Sequence, residues 1–560
     1  MPRLRLLLYV FVGSLLLVIL RLTQIQVFEH WKYQVLARNQ HFTSYTTPAP
    51  RGQIFSSDGF LLVGNEARFL LYAEPKLLKE NPKDLADKLV VIIYPKLFEP
   101  APYRRDIRMI MNHGQDFEAA LSREDLYWVA LAHGLDGETK KQIEDLNIVG
   151  LGFREESERF YPEGDLAEEV LGFVGQNKNG QPQGYFGVEG YYNGDLSGRD
   201  GEVLQEKNAL GQPIILGNYL ETPALSGKDL VLTINRTVQF LLERKLKSAI
   251  DAYGAVSATG VILDPENGDI LAMSSKFAET TSSAFPRNLA IDSAYEPGSV
   301  IKALTMAAAI DSGVAKPTDT YNDVGPVLYS GHYVDTWDKK HHGLITLTRI
   351  LELSNNCGAA WVGEKLGISG LREYLLKFGL GNFLGIDLEG EASGLVRDAT
   401  NWRDIDTATA SFGQGISATP LQVVSVFATI ANGGVLVKPH IVKNTGEVSI
   451  IRQVISSETA DIVSGMLVSA VDNGESKFFN LKNYTIAGKT GTAQIAVGGS
   501  YDPTKSNATF VGFFADDPKF VMLIRFERPS SSIYAAETAV PVWMSLASEL
   551  ALVMGSPPRL

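Results

Sequence analysis

Three short segments carry residue types that together could transfer an acyl group. In the first, Tyr295-Glu-Pro-Gly-Ser299-Val-Ile-Lys302, a serine follows a Pro-Gly turn and opens an apolar stretch that reads as a helix through Ala308. A serine hydroxyl is a weak nucleophile until a base takes its proton, and a lysine three residues on shares its helix face. Lysine serves as that base only where burial or a neighbouring cation lowers its pKa. At a helix N-terminus the free backbone N–H groups and the dipole also stabilise a developing oxyanion. The second segment, Leu353-Ser354-Asn355-Asn356, offers a hydroxyl and a carboxamide two positions apart. Adjacent asparagines weaken a helix, so this segment reads as a loop between two helices. Ser354 could there relay a proton to or from a leaving group and Asn356 hold a substrate amide. The third, Ala487-Gly-Lys489-Thr490-Gly491-Thr492-Ala493, lies in a strand pattern. Glycine in a strand admits a peptide alongside as an added strand, and Lys489 with the Thr490 and Thr492 hydroxyls suits a carboxylate. Lys489 is also the cation that could depress Lys302.

Taken singly, each segment has an ordinary reading. S-x-x-K arises by chance about twice in such a chain, S-x-N is as common, and K-T-G appears by accident in roughly one chain in ten. Helix capping accounts for Ser354 and Asn356, and a plain turn for K-T-G. The three in this order, however, resemble the signature set of the penicillin-recognising serine acyltransferases. Other stretches are similar to the class B, monofunctional penicillin-binding proteins: Glu296-Pro-Gly-Ser299, His342-Gly-Leu-Ile-Thr346, Phe412-Gly-Gln-Gly-Ile-Ser-Ala-Thr-Pro-Leu-Gln422 and Ala431-Asn-Gly-Gly434. Nearer the N-terminus, Arg51-Gly52, Arg159-Phe-Tyr-Pro162 and Gly184-Tyr-Phe-Gly-Val-Glu189 resemble the family's pedestal motifs, so the likeness spans nearly the whole chain. It departs at Ser56-Ser57, where the family commonly shows Asp-Arg and hence a local salt bridge.

The resemblance implies a peptidoglycan D,D-transpeptidase, inhibited by β-lactam antibiotics, that cross-links stem peptides through an acyl-serine. It places catalytic roles on Ser299 as nucleophile, Lys302 as base, Ser354, Asn356 and Lys489, and substrate binding on Thr490, Gly491 and Thr492. Backbone N–H groups of Ser299 and Thr492 would form the oxyanion hole. No cofactor and no metal are implied; a polytopic glycan polymerase is implied as partner, in elongation or division. Two alternatives stand beside this reading: a non-catalytic penicillin-binding sensor or scaffold, and a hydrolase of the carboxypeptidase or β-lactamase type. A large N-terminal module argues against a stand-alone β-lactamase, and intact Ser299, Lys302 and Lys489 argue against a scaffold. Glu296, the nearest acid in sequence, precedes the Pro-Gly turn and is expected to point away from Ser299 and Lys302.

The elements that must hold these groups follow from patterning. Ala258 to Leu263 and Ile270 to Ser274 read as a hairpin turning at Asn267-Gly268. Tyr484 to Ile495, Ala508 to Ala515 and Phe520 to Phe526 are further strands, and an apolar helical tail begins near Ala536. Strands at both ends of 229–560 around a helical middle predict an α/β fold, an antiparallel sheet sandwiched by helices and resembling the penicillin-binding transpeptidase and serine β-lactamase fold. Thr419-Pro420-Leu-Gln422 reads as a capping box with proline at the first helical position. Residues 40–225 alternate short apolar runs with turn signals at Ser57-Asp58-Gly59, Asn179-Gly180 and Asn193-Gly194, with helical patterns near 82–92 and 137–146. This predicts a strand-rich, irregular pedestal domain over 40–225, and the resemblance implies a structural role there for Arg51, Arg159 and Glu189 as a buried charge network. The stretch Pro223 to Lys228 is the boundary to a transpeptidase domain over 229–560.

Residues 1–24 read as a cytoplasmic tail and a transmembrane anchor, because Leu6 to Leu20 is an unbroken apolar run just long enough to span if Arg5 and Arg21 snorkel. The sequence after it, RLTQIQVFEH, offers no small-x-small cleavage site for a signal peptide. Arg3 and Arg5 favour an inside N-terminus, whereas Arg21, Lys32 and Arg38 lie on the other flank, so the count of cations alone leaves orientation open. The implied place is the cytoplasmic membrane, single-pass, with the catalytic domain outside. Lys and Arg number 51 against 64 Asp and Glu, and the net of −13 repels nucleic acid. Cys357 is the sole cysteine, so no intramolecular disulfide forms and it reads as a small buried apolar residue. The eight histidines show no metal-ligand spacing, and His341-His342 sits in a polar loop.

Overall fold

The structure is a computed structural model that describes residues 2–34, 42–95, 107–178, 180–207, 214, 219–278, 287–443, 446 and 448–559. Its contacts divide the chain into two compact units, one of Met1–Gly52 with Gly194–Lys228 and one of Gln53–Asn193 with Asp229–Leu560. Asn179 of the expected Asn179-Gly180 turn lies outside the described residues.

The first unit begins with a helix, Pro2–Thr23, that runs on through a π-turn to Phe28 and has no buried residue. It is long and apolar enough to cross a membrane. A small antiparallel sheet of Phe42–Thr47, Gly201–Glu206 and Tyr219–Thr222 completes the unit. Asn193-Gly194, expected as a turn, opens a one-turn helix, Asn193–Leu196, instead.

In the second unit the catalytic part is one five-stranded sheet between helices. Its elements in chain order are α1 (Arg236–Tyr253), β1 (Ser257–Leu263), β2 (Ile270–Phe277), α2 (Lys302–Asp311), α3 (Leu347–Glu352), α4 (Asn356–Lys377, broken at Gly367) and α5 (Pro420–Ala431). There follow α6 (Ser457–Asn473), β3 (Ile486–Val497), β4 (Ser500–Phe514), β5 (Val521–Glu527) and α7 (Ala539–Val553). The strands lie in the order β2-β1-β5-β4-β3, all antiparallel, so the first and last segments of the region share one sheet as expected.

Side-chain alternation explains the layers. Even-numbered residues of β1, β4 and β5, such as Ile262, Phe510 and Phe526, enter a core with Leu242 and Leu246 of α1 and Trp543, Leu546 and Leu550 of α7. The Trp543 indole N–H, which burial would otherwise leave unpaired, donates to Met522 O at 2.8 Å. Odd-numbered residues turn to the opposite face, where α5 packs. Burial on both faces explains why these strands read as apolar runs rather than alternations. Every residue of α5 from Pro420 to Ile430 is buried, so the free N–H groups of its first turn must be satisfied internally. The capping box does this: Thr419 Oγ1 accepts from Gln422 N at 3.2 Å and Gln422 Oε1 accepts from Thr419 N at 2.9 Å.

Residues 53–193 of the same unit build their own antiparallel sheet, in which Leu61–Ala73 pairs with both Val129–Leu135 and Leu151–Phe160. Helix Pro82–Ile93 covers it as expected, and so does Ile107–Leu121, which the sequence did not signal because Asn112, His113 and Gly114 interrupt its apolar pattern. Phe117 and Leu121 nonetheless join Leu71, Leu85 and Leu89 in one core. Arg159 pairs with Glu189 at 2.8 Å and donates to Asn65 Oδ1 at 2.8 Å, with both charges buried. Arg51, also buried, belongs to the first unit. Ser56 takes no part in a salt bridge; its buried hydroxyl accepts from Phe60 N at 3.0 Å and closes the Ser57-Asp58-Gly59 turn.

Candidate active site

The three segments meet at one place. Ser299 lies in a 3-10 turn, Gly298–Ile301, that leads directly into α2, so Lys302 begins the α-helix proper. Close approaches on both sides fix this turn. On one side Gly298 N donates to Gly413 O at 3.0 Å, and Gly413, at φ +79, lies so close that a Cβ there would strike Gly298. On the other side a Cβ at Gly491 would stand 2.9 Å from Val300 Cγ1 and 3.0 Å from Pro297 O. Glycine in K-T-G therefore lets β3 lie against the nucleophile's turn. β3 is also the edge of the sheet, paired on one side only by β4.

Ser354 falls in the loop between α3 and α4, as expected, with a left-handed φ of +51 that a non-glycine residue rarely adopts. This backbone turns both its carbonyl and its hydroxyl to the lysines. Asn355 is the helix cap of α4, accepting from Gly358 N at 2.7 Å, and its Nδ2 donates to the buried Asp323 at 2.9 Å. Asn356, first residue of α4, is thereby aimed inward, with Nδ2 donating to Asp335 O at 3.1 Å.

Lys302 is wholly buried, and its Nζ lies within hydrogen-bond distance of Ser299 Oγ at 3.0 Å, Ser354 O at 2.5 Å, Asn356 Oδ1 at 2.8 Å and Ser354 Oγ at 3.3 Å. Lys489 Nζ reaches the same Ser354 hydroxyl at 3.1 Å and Thr490 Oγ1 at 3.0 Å. Among the described residues neither lysine forms an ion pair with a carboxylate. Burial holds Lys302 well below the usual lysine pKa, and the Lys489 ammonium pushes it further down. Lys489 is lowered too, by burial, against which Glu475 acts. The Thr492 hydroxyl accepts from Ala535 N at 3.1 Å, which ties β3 to the segment before α7.

Residues outside the motifs complete the surroundings. Glu475, in the turn after α6, accepts from the Thr490 hydroxyl at 2.7 Å. It lies at no fixed motif spacing, and no sequence signal marks it. Glu296 accepts from Gly415 N at 2.9 Å and from the Tyr501 hydroxyl at 3.0 Å, and bonds to neither Ser299 nor Lys302. Cys357 is buried, and burial pushes its thiol up to about 11, so it acts as an inert apolar residue at the start of α4.

Comparison with known proteins agrees with this arrangement. The family of the penicillin binding protein transpeptidase domain matches residues 258–544, and that of the penicillin-binding protein dimerisation domain matches 46–232. The chain belongs to the class B penicillin-binding proteins, the D,D-transpeptidases. Stage V sporulation protein D of Bacillus subtilis is 30% identical over 590 residues, covering 100% of this chain and 87% of that one. Peptidoglycan D,D-transpeptidase FtsI of Escherichia coli is 30% identical over 393 residues, covering 69% of this chain and 65% of that one, so the chain spans just under two thirds of FtsI. Penicillin binding protein 3 of Mycobacterium tuberculosis, solved in complex with aztreonam, shares the fold at TM-score 0.67 and 24% identity, covering 92% of this chain and 98% of that one. In this class B penicillin-binding protein, the serine, the lysines and the S-x-N loop thus converge as an acyl-transfer site requires.

Proposed function

We propose that this penicillin-binding protein cross-links peptidoglycan stem peptides, with Ser299 as its acylated nucleophile. The observation that carries the reading is the wholly buried Lys302 amine 3.0 Å from Ser299 Oγ. As Ser299 Oγ attacks the carbonyl between the last two D-alanines, Lys302 Nζ takes the hydroxyl proton. The N–H groups of Ser299 and Thr492 hold the oxyanion. The C–N bond breaks, and the terminal D-alanine leaves with a proton passed through the Ser354 hydroxyl, which bonds to both lysines. Lys489 and the Thr492 hydroxyl receive the substrate carboxylate, with Thr490 holding Lys489 in place, and the donor peptide lies along the open edge of β3 with Asn356 on its amide. An acceptor amine then attacks the ester, gives its proton to Lys302, and restores Ser299. No cofactor enters, because the ester retains the energy of the broken peptide bond.

The domain plan that goes with it is an anchor over 1–24, a pedestal over 40–225 and a transpeptidase domain over 229–560. The helix Pro2–Thr23 anchors the chain with residues 25–560 outside the cytoplasmic membrane, and the pedestal docks a polytopic glycan polymerase. The location of the substrate and the family resemblance support these two statements. The direct test supplies a stem-peptide donor and an amine acceptor to the purified protein: D-alanine release with formation of the new amide is expected, and both vanish in Ser299→Ala. Release of D-alanine to water alone would favour the hydrolase.

A further inference from the structure

Two lysine nitrogens share the Ser354 hydroxyl, in a region where burial makes uncompensated charge expensive. The titratable and charged groups that face them are few. They are Lys302 on α2, Lys489 on β3, Glu475 after α6, and Cys357 on α4 with Asp323 and Asp335 beyond it. Asp323 accepts from Asn355 and the His342 N–H at Oδ2, and its Oδ1 lies 3.5 Å from His341 Nδ1. Glu475 is the carboxylate that acts on both lysines.

The hydrogen-bond geometry gives Glu475 a second role. A threonine hydroxyl has one proton to donate and lone pairs to accept with. Glu475 Oε2 takes the Thr490 proton at 2.7 Å, which leaves Thr490 Oγ1 facing Lys489 Nζ as an acceptor at 3.0 Å. Lys489 then donates to Ser354 Oγ at 3.1 Å. The carboxylate itself is held at a defined place. α6 ends when Gly474 N donates to Ala470 O at 3.1 Å, and the next residues close into tight turns, with Phe479 N donating to the carbonyl of the buried Ser476 at 3.0 Å.

We propose that Glu475 is a positioning residue of the acyl-transfer site, aiming Lys489 at Ser354 through the Thr490 hydroxyl and balancing the charge of the two buried lysines. The inference rests on the acyl-transfer reading above. It assigns to a residue outside the three motifs the task of keeping Lys489 cationic while Lys302 is neutral. Glu475→Gln keeps the shape and an acceptor oxygen but removes the charge. Without that charge both lysines lose their protons more readily, so both limbs of the pH profile of acylation move to lower pH. The acid limb, set by neutral Lys302, and the alkaline limb, set by cationic Lys489, shift in the same direction. A merely structural residue would reduce the amount of folded protein and leave the limbs in place.

The experiment measures the second-order rate of labelling by a fluorescent penicillin across pH, on full-length wild type, E475Q and T490V, with thermal melting as the check of folding. E475Q is expected to show both limbs displaced to lower pH. T490V retains the carboxylate but cuts the relay, and its maximal rate is expected to fall about tenfold, the worth of one lost hydrogen bond to a charged group. An E475Q profile that superimposes on wild type, or a T490V rate equal to wild type, overturns the proposal; if E475Q does not fold, T490V decides. Failure of wild type to be labelled at all would instead sink the acyl-transfer reading.

Discussion

Lys302 Nζ stands 3.0 Å from Ser299 Oγ, one helical turn along the chain, and every other atom it bonds to is a neutral oxygen. Burial and the nearby Lys489 ammonium favour the free amine over the ammonium in spite of these acceptors, which is what a base facing a serine hydroxyl needs. Lys302→Arg keeps the charge and much of the reach, but guanidinium does not release a proton in the working range. Penicillin acylation of this variant should fall by about a thousandfold, within the span of a lost general base, while its melting transition persists. Near-normal labelling would place the base elsewhere.

The direction of the lysine shifts sets a pH dependence. Lys302 is depressed first by burial and then by Lys489, so its neutral fraction rises with pH through a value far below that of free lysine. Acylation should therefore fall as pH is lowered through that value. Lys489→Met keeps the site dry but removes the neighbouring cation; Lys302 then holds its proton to higher pH, and the acid limb should move upward. A limb that stays in place in this variant would mean that Lys489 does not tune Lys302.

How much of this was readable from the chain differs by residue. Ser299, Lys302, Ser354, Asn356 and Lys489 were singled out by type and spacing, and the capping box at Thr419 and Gln422 announced α5 by local hydrogen-bond logic. The turn at Asn267-Gly268 likewise carries its own signal, with Gly268 at φ +85. What stayed hidden depends on tertiary contact. Glu475 meets Thr490 across 15 residues with no periodicity between them, and Ser354 takes a left-handed φ in the loop between α3 and α4 that no residue type there announces. β4 begins at Ser500 rather than near Ala508 because pairing with β3 carries a polar segment, Ser500 to Ser506, into a ladder that composition does not favour. The helix Ile107–Leu121 is likewise made by packing on Pro82–Ile93 rather than by propensity.

The Arg159–Glu189 pair tests the pedestal's structural role. Both charges are buried, and breaking a buried ion pair costs about 3 kcal/mol. Arg159→Met should lower the midpoint of chemical denaturation accordingly, while the folded fraction still acylates at the wild-type rate. A large change in acylation with unchanged stability would assign the pair to the chemistry instead.

Glu169 supplies a second pH-dependent quantity, the stability of the fold. Burial pushes its carboxyl up from 4.5 to about 7, offset in part by Lys276, and its Oε2 has no hydrogen-bond partner. Between those values the folded protein keeps the proton that the unfolded chain has lost, so ionisation favours unfolding and stability falls as pH rises. The other groups around it are Lys276, Glu243 and Glu168. Comparing denaturation of wild type and Glu169→Gln at pH 5 and pH 8 should show the wild type losing ground to the variant at the higher pH. Parallel behaviour would show that Glu169 is already ionised throughout.

The lifetime of the acyl-enzyme tests the central claim most directly. Efficient hydrolysis of an acyl-serine needs a further base to activate water, and Glu296, the nearest acid in sequence, is engaged by Gly415 and Tyr501 instead. The measurement acylates the full-length protein with penicillin, removes free drug and follows the adduct by intact mass, with peptide mapping to place it. The account predicts one penicilloyl group on the Ser299 peptide that persists for many minutes and is absent from Ser299→Ala. Labelling that survives that substitution, or release within seconds with rapid turnover of the drug, would contradict it.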